Sequence, residues 1–345
     1  MNIKPRYFIQ TKDDLFFAIN GYTHPDEYIV AFLRYIPSED GDRNYNGIKY
    51  TKVGSDEAYT YIKENHPNYL FDWNVENKKM MGVPRCDIKK ILNPTEKLKQ
   101  ILEDKTDNPF NNKVQKLAET FHSKAGISYD DMGITGSALL GFQNEKSDID
   151  FIIFGLENHK KARNLYGKLK NDPESILDPI DDNFWEFVYN KRIKDDTLSF
   201  EEFKFYEMRK NIRGVICGTL FDILSTMNDE DIKENVKPDC YYKQVGPMKI
   251  RCKIKENKQS YDSPSIYKIS DIEYLDGVKY DIENVVSYTH TYAGEVLNNE
   301  TAIVSGVCEE VIDKTTNEKS YNLVVGTTRE ALGEYIKLEK IPEIK

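Results

Sequence analysis

Cysteine is scarce in this chain, and the few residues present are scattered. Cys86, Cys217, Cys240, Cys252 and Cys308 form no Cys-x-x-Cys pair and give an odd total, which excludes a zinc ribbon or a disulfide framework. The five histidines are equally dispersed, with no His-Glu-x-x-His, and no Gly-x-x-x-x-Gly-Lys loop occurs, so zinc hydrolases and Walker-type NTPases are set aside. No apolar run approaches the roughly 18 to 20 residues needed to cross a bilayer. The start, Met1-Asn-Ile-Lys-Pro5, lacks a signal-peptide core, so a cytoplasmic location with no membrane partner is expected. A net charge of −10 argues against a general basic surface for nucleic acid. The balance of 31% charged and 39% hydrophobic residues over 345 positions is that of a globular protein with room for two or three cores.

The most informative stretch runs from Gly136-Ser137 through Gly141 and Ser147 to Asp148-Ile149-Asp150, followed by the apolar run Phe151-Ile-Ile-Phe154. Side chains alternate along a strand, so Asp148 and Asp150 share a face. Two carboxylates on one face suit Mg²⁺, a hard cation that pairs with carboxylates and the phosphates of a nucleotide. Gly133-Ile-Thr135 reads as a short strand and Ser137 as the start of a helix. A helix amino terminus, a glycine that admits close approach and a serine hydroxyl together make a phosphate cradle from Gly136 and Ser137. An unbroken apolar run after the acids predicts a strand buried on both faces. Ser147 reads as a turn residue bonding local backbone.

A third acid lies within Gly218-Thr-Leu-Phe-Asp222-Ile-Leu224. A carboxylate in such an apolar run needs a cation, a donor or an open cleft beside it, which makes Asp222 the third metal-ligand candidate. Upstream, Ser199 and Glu202 form a capping box for a helix ending near Arg209-Lys210, where cations complement the helix dipole and need no ligand. Arg213 has two readings: a planar clamp for a triphosphate, or a partner for a local acid.

Gly136-Ser137, the spacer, Asp148-Ile149-Asp150 with its apolar strand, and the later Asp222 resemble the nucleotidyltransferases of the DNA polymerase beta superfamily over about residues 109–226. Within that superfamily the chain is similar to a group of archaeal predicted nucleotidyltransferases with a Leu15-Phe-Phe-Ala18 type amino-terminal segment and a β-rich tail. The resemblance implies transfer of a nucleoside monophosphate from a nucleoside triphosphate such as ATP to a hydroxyl acceptor, with release of pyrophosphate. It assigns two Mg²⁺ ions, with Mn²⁺ as an alternative, to the catalytic acids Asp148, Asp150 and Asp222, and the terminal phosphates to Gly136 and Ser137. The acceptor stays open among RNA or DNA ends, another protein and a small hydroxylated molecule. Two other classes stand beside this one: a non-catalytic nucleotide sensor on a transferase-like core, and a nucleic-acid-binding structural protein.

The expected fold class is α+β. A nucleotidyltransferase core, a mixed sheet with flanking helices, occupies residues 93–235. An amino-terminal α+β accessory domain covers residues 1–92, with strands near 14–20, 28–35 and 47–53 and a helix near 56–64. Residues 236–345 form a β-rich domain of short strands near 249–254, 285–290, 302–307, 321–326 and 335–338, a small barrel for which the OB type is a candidate. Asn93-Pro94 marks a helix start, and Val114, Leu117, Ala118 and Phe121 lie at helical spacing. Between residues 232 and 259 eight basic residues stand against three acids. Within this stretch Lys249, Arg251, Lys253 and Lys255 alternate with Ile250, Cys252 and Ile254, either a solvated outer face or a contact for a polyanion, with Tyr241 and Tyr242 as base-stacking candidates.

Overall fold

A computed structural model describes residues 3–144, 147–237, 240–328 and 331–342. The chain folds into two compact units, Met1–Pro179 with Ile212–Val236, and Ile180–Asn211 with Lys237–Lys345. The first unit runs through the boundary expected at residue 92, whereas near the one expected at residue 235 the break follows Val236. The first 92 residues share a unit with the Gly-Ser and aspartate strands, and residues 180–211 leave the core segment to join the barrel. The physical reason lies in the burial: Ile152 and Phe154 of the aspartate strand pack into the core of the amino-terminal sheet, while Leu198 and Tyr206 pack into the core of the barrel.

In the first unit a five-stranded sheet runs in the order Leu177–Asp178, Arg213–Ile216, Thr219–Thr226, Ile149–Phe154, Met132–Ile134. The two central strands are parallel and the other pairings antiparallel. Ile149, Phe151 and Ile153 face a core built with Val114, Leu117, Ala118 and Phe121 of the helix Pro109–Ala125. That helix begins at Asn108, whose side chain accepts from the Phe110 and Asn111 amides, and stops at Gly126 with φ +66°. Its start is three residues ahead of the expected Asn112. Pro94–Glu103 begins at the Asn93 cap as expected.

On the opposite face, Ile152 and Phe154 pack with Ile9, Phe17, Ile29, Leu33 and Val83 of the amino-terminal sheet. This second sheet has eight strands. Its main path runs Arg43–Tyr45, Ile48–Lys52, Tyr28–Pro37, Phe16–Ile19, Phe8–Thr11, Ile88–Leu92, with Lys79–Pro84 and Leu70–Asp72 branching from Tyr28–Pro37. The central aspartate strand is therefore buried on both faces, as an unbroken apolar run requires.

In the second unit the strands Cys240–Glu256, Ser265–Asp276, Ile282–Ser287, Lys319–Val325 and Thr301–Asp313 close on themselves, the last pairing back to the first. Ile282–Ser287 and Lys319–Val325 are parallel, and Tyr335–Leu338 adds to the outer end of Thr301–Asp313. The closed barrel thus includes a strand, Ser265–Asp276, that the expected set of five omitted. The strand at 335–338 lies beside the ring. Ile250, Cys252 and Ile254 are fully inside while the basic residues between them alternate outward. Helices Asp182–Arg192 and Phe200–Lys210 belong to this unit, the second opening on the Ser199/Glu202 capping box. Arg209 bonds the Glu295 carbonyl and the Glu300 carboxylate, and buried Lys210 bonds Glu207 and the Thr291 carbonyl. Both are consumed by structure. No helix of the described residues is long and apolar enough to cross a membrane.

Candidate active site

Parallel pairing places Asp150 directly opposite Asp222, and antiparallel pairing on the other side places Arg213 opposite Asp222. By strand alternation Asp150 shares its face with Ile152 and Phe154, so the acid face is the one covered further along by the amino-terminal sheet. Asp148 precedes the strand by one residue and is exposed; Asp150 and Asp222 are half-buried. The His159 ring, on the helix Leu156–Leu169, bonds the Ile223 carbonyl at 3.1 Å and so fixes the strand next to Asp222. Burial holds its pKa down to about 3, so it serves as a neutral anchor.

Gly136 turns the chain out of the Met132–Ile134 strand with φ +63°. A Cβ at this position would stand 1.9 Å from Asp150 Oδ2, so the aspartate carboxylate rests on the glycine backbone and glycine is required twice over. The Thr135 amide donates to the Asp150 carbonyl at 3.0 Å, locking the turn to the aspartate strand. Ser137 is half-buried within the four-residue helix Gly136–Leu139, and its carbonyl accepts from the Phe142 amide at 2.8 Å. The following residues Leu139, Leu140 and Phe142 pack with Phe16, Tyr35 and Tyr50 of the amino-terminal sheet, which presses the turn into place. Ser147 is a turn residue: its hydroxyl accepts from the Asn144 amide at 2.9 Å.

The electrostatics are those of crowded carboxylates. Burial, then the charges of Asp148 and Asp222, raise the Asp150 pKa to about 7, against the opposing pull of Arg6 and Lys52. Arg213 holds Asp222 with both ends of its guanidinium, Nε to Oδ1 and a second nitrogen to Oδ2 at 3.1 Å. Of its two sequence readings, the structure displays the local-acid partner. Two acids that lie between Asp150 and Asp222 in the chain are committed elsewhere: Asp181 caps a helix through the Phe184 amide, and Asp195 accepts from Thr197 and Gly333.

Among the described residues no three Asp, Glu, His or Cys side chains are gathered closely enough to form a ligand group. The donor chemistry nevertheless fits a hard cation. Asp150, Asp148 and Asp222 offer carboxylate oxygens, Asp222 with Arg213 bonded to it, and Asp150 is held well above an ordinary aspartate by burial and by the charges of the other two acids, a setting that suits a divalent ion.

Arg6 and Lys52 were missed from sequence. Nothing in Lys4-Pro5-Arg6 or Lys49-Tyr-Thr-Lys52 marks them, because their bearing on Asp150 depends on a sheet folding back onto a strand about 100 residues beyond Lys52 and further still beyond Arg6.

A nucleotidyltransferase-domain family model matches residues 114–210, which takes in Gly136, Ser137, Asp148 and Asp150 and stops short of Arg213 and Asp222. The chain is 41% identical to uncharacterized protein MJ1086 of Methanocaldococcus jannaschii, across 99% of this chain and all of that one. No solved structure matches. With the Gly-Ser turn set against the aspartate strand and a full-length archaeal relative at this identity, the chain belongs to the polymerase beta-like nucleotidyltransferase superfamily, in the same family as MJ1086.

Proposed function

We propose that the protein transfers a nucleoside monophosphate from a nucleoside triphosphate to a hydroxyl acceptor in a Mg²⁺- or Mn²⁺-dependent reaction. The observation that carries this reading is the register of Asp150 against Asp222 on adjacent parallel strands, with Gly136 packed against the Asp150 carboxylate. The acceptor oxygen forms a bond to the α-phosphorus, the bond from that phosphorus to the bridging oxygen of the β-phosphate breaks, and pyrophosphate leaves. Asp148, Asp150 and Asp222 would hold the metal, which supplies charge neutralisation on the phosphates and a lowered pKa for the acceptor hydroxyl. Asp150 and Asp222 leave one sheet face side by side, so the reaction would take place on that face. The Gly136-Ser137 turn receives the terminal phosphates, where bare backbone and a hydroxyl admit close approach. Asp222 takes the proton that the acceptor hydroxyl loses, and Arg213 steadies its carboxylate. The alternative, a nucleotide sensor without turnover, is less well supported, because a sensor has no need of a third acid in register with Asp150.

We read the carboxy-terminal barrel as OB type, supported by its closure order of first, second, third, fifth and fourth strands with third and fifth parallel. The outward Lys268, Asp271, Glu273 and Glu283 give its second and third strands a mostly acidic surface, which leaves the Lys249–Lys255 face as the one suited to a polyanionic acceptor.

The experiment is incubation with each α-labelled triphosphate, Mg²⁺ and separate RNA, protein and metabolite fractions. Label should enter one fraction, and the Asp148→Asn/Asp150→Asn double variant should lower the rate at least about a hundredfold while staying folded. Normal labelling by that variant overturns the proposal.

A further inference from the structure

The acid face of the core sheet is continuous with the surface on which the amino-terminal sheet packs, and the segment around that sheet carries two cations, Arg6 in the turn before its Phe8–Thr11 strand and Lys52 at the end of Ile48–Lys52. Arg6 is tied to both halves of the site: its Nε donates to the Ser225 carbonyl at 3.1 Å, three residues beyond Asp222, and its carbonyl accepts from the Thr135 hydroxyl at 2.6 Å, one residue before Gly136. Its backbone is left-handed, φ +73°, a conformation that a non-glycine residue adopts at a cost and that fixed contacts maintain. Lys52 ends the strand Ile48–Lys52 opposite Tyr35. Tyr35 in turn packs against Leu139, Leu140 and Phe142, the residues that follow the Gly-Ser turn. Lys52 is exposed. Arg213, the cation that the sequence offered as a clamp, is engaged across the sheet with Asp222.

We propose that Arg6 and Lys52 form the triphosphate-binding wall of the site, so that the amino-terminal sheet supplies half of the nucleotide pocket. This rests on the nucleotidyl-transfer reading above and adds the residues that recognise the polyphosphate. A triphosphate brings more negative charge than the carboxylate-lined face can accept without cations on the opposite wall. Arg6 is bonded to the residue before Gly136, and Lys52 stands opposite Tyr35, which packs on the residues that follow the Gly-Ser turn, so both cations lie beside the turn that receives the terminal phosphates. Arg6, held by Ser225 and Thr135, is a rigid donor, and Lys52 adds a second cation at the exposed end of its strand.

The test uses a ligand without a base, so that unknown base specificity does not enter. Binding of inorganic tripolyphosphate and of orthophosphate to the full chain is measured by calorimetry with Mg²⁺ present, for wild type, Arg6→Lys, Arg6→Gln, Lys52→Ala and Lys52→Glu. Lys49→Ala, on the same strand and bonded to the Glu39 carbonyl, is the control. Removing one charge-assisted hydrogen bond should weaken tripolyphosphate binding about tenfold or more. Lys52→Glu should weaken it further, and the control should match wild type. Melting temperatures accompany each variant. Should Arg6→Gln prove unstable, exposed Lys52 and the charge-retaining Arg6→Lys carry the test. Wild-type affinity in Lys52→Ala and Lys52→Glu overturns this wall while leaving the transfer reaction intact. Failure of wild type to bind tripolyphosphate or any nucleoside triphosphate overturns the transfer reading and this inference together.

Discussion

Replacing Asp150 with Asn should stabilise the metal-free protein while removing its activity, and the stabilisation should depend on pH. The Asp150 carboxyl is raised from 3.8 to about 7 by burial and by the charges of Asp148 and Asp222. In the folded state it stays protonated where the unfolded chain has already ionised. Its contribution to stability is therefore complete below about pH 4, is lost as the pH rises toward 7, and is flat above. At about 1.4 kcal/mol per pH unit the ceiling is about 4 kcal/mol. Partial access to water at this half-buried side chain lowers the expected effect to about 1 to 2 kcal/mol. In a protein of this size that is a melting-temperature difference of roughly 1 to 3 °C. Asn keeps the shape that rests on Gly136 and never takes the charge. Thermal denaturation of both proteins from pH 4 to 8 in EDTA should show Asp150→Asn gaining on wild type up to about pH 7 and then running parallel. Taking the difference cancels other buried groups, such as Glu295 with its pKa raised to about 8. Saturating Mg²⁺ should then more than close the gap by stabilising wild type alone, by about 2.7 kcal/mol at a hundredfold excess over its Kd. A difference independent of pH, or a variant less stable than wild type at pH 8, would refute crowded, buried carboxylates as the feature that defines the site.

Mn²⁺ affinity followed by electron paramagnetic resonance should rise about tenfold per pH unit below pH 7 and level off above, because the ion displaces the Asp150 proton. A flat profile places the ion elsewhere. Gly136→Ala should cost about 2 to 4 kcal/mol in urea unfolding, combining a left-handed alanine with a Cβ 1.9 Å from the Asp150 carboxylate, and should abolish transfer. Wild-type behaviour would mean the turn is not seated as described. On the barrel, Arg251 already forms a two-pronged pair with Glu339 at 2.7 and 2.9 Å. The informative variant is therefore Lys249→Gln/Lys253→Gln/Lys255→Gln. If the acceptor is RNA or DNA, this variant should flatten the salt dependence of acceptor binding by nearly one unit of log–log slope for each phosphate no longer neutralised. An unchanged slope points to a protein or small-molecule acceptor.

Local chemistry made much of this protein legible from its order of residues. Asn93-Pro94, the Ser199/Glu202 box and the period of Val114, Leu117, Ala118 and Phe121 act within a turn or two of helix, so their outcome is written in adjacent residues. The same holds for the strict alternation of Lys249–Lys255, and for the Gly-Ser and Asp-x-Asp elements, whose spacing carried the superfamily. Ser265–Asp276 was missed although Ile266, Tyr267, Ile269, Ile272 and Tyr274 mark it as apolar, because its charged and turn-forming neighbours interrupt a clean period of two. What needed the tertiary structure was every relation set by strand pairing or by the covering of a face. Register alone decided that Asp222 stands beside Asp150 and that Arg213 faces Asp222. Burial alone decided that residues 180–211 belong with the barrel and that the first 92 residues cover the face carrying the acids. These relations join residues far apart in the chain. Their free energy comes from apolar surface removed from water, which is nondirectional and carries no signature in the residues that happen to be brought along with it, Arg6 and Lys52 among them.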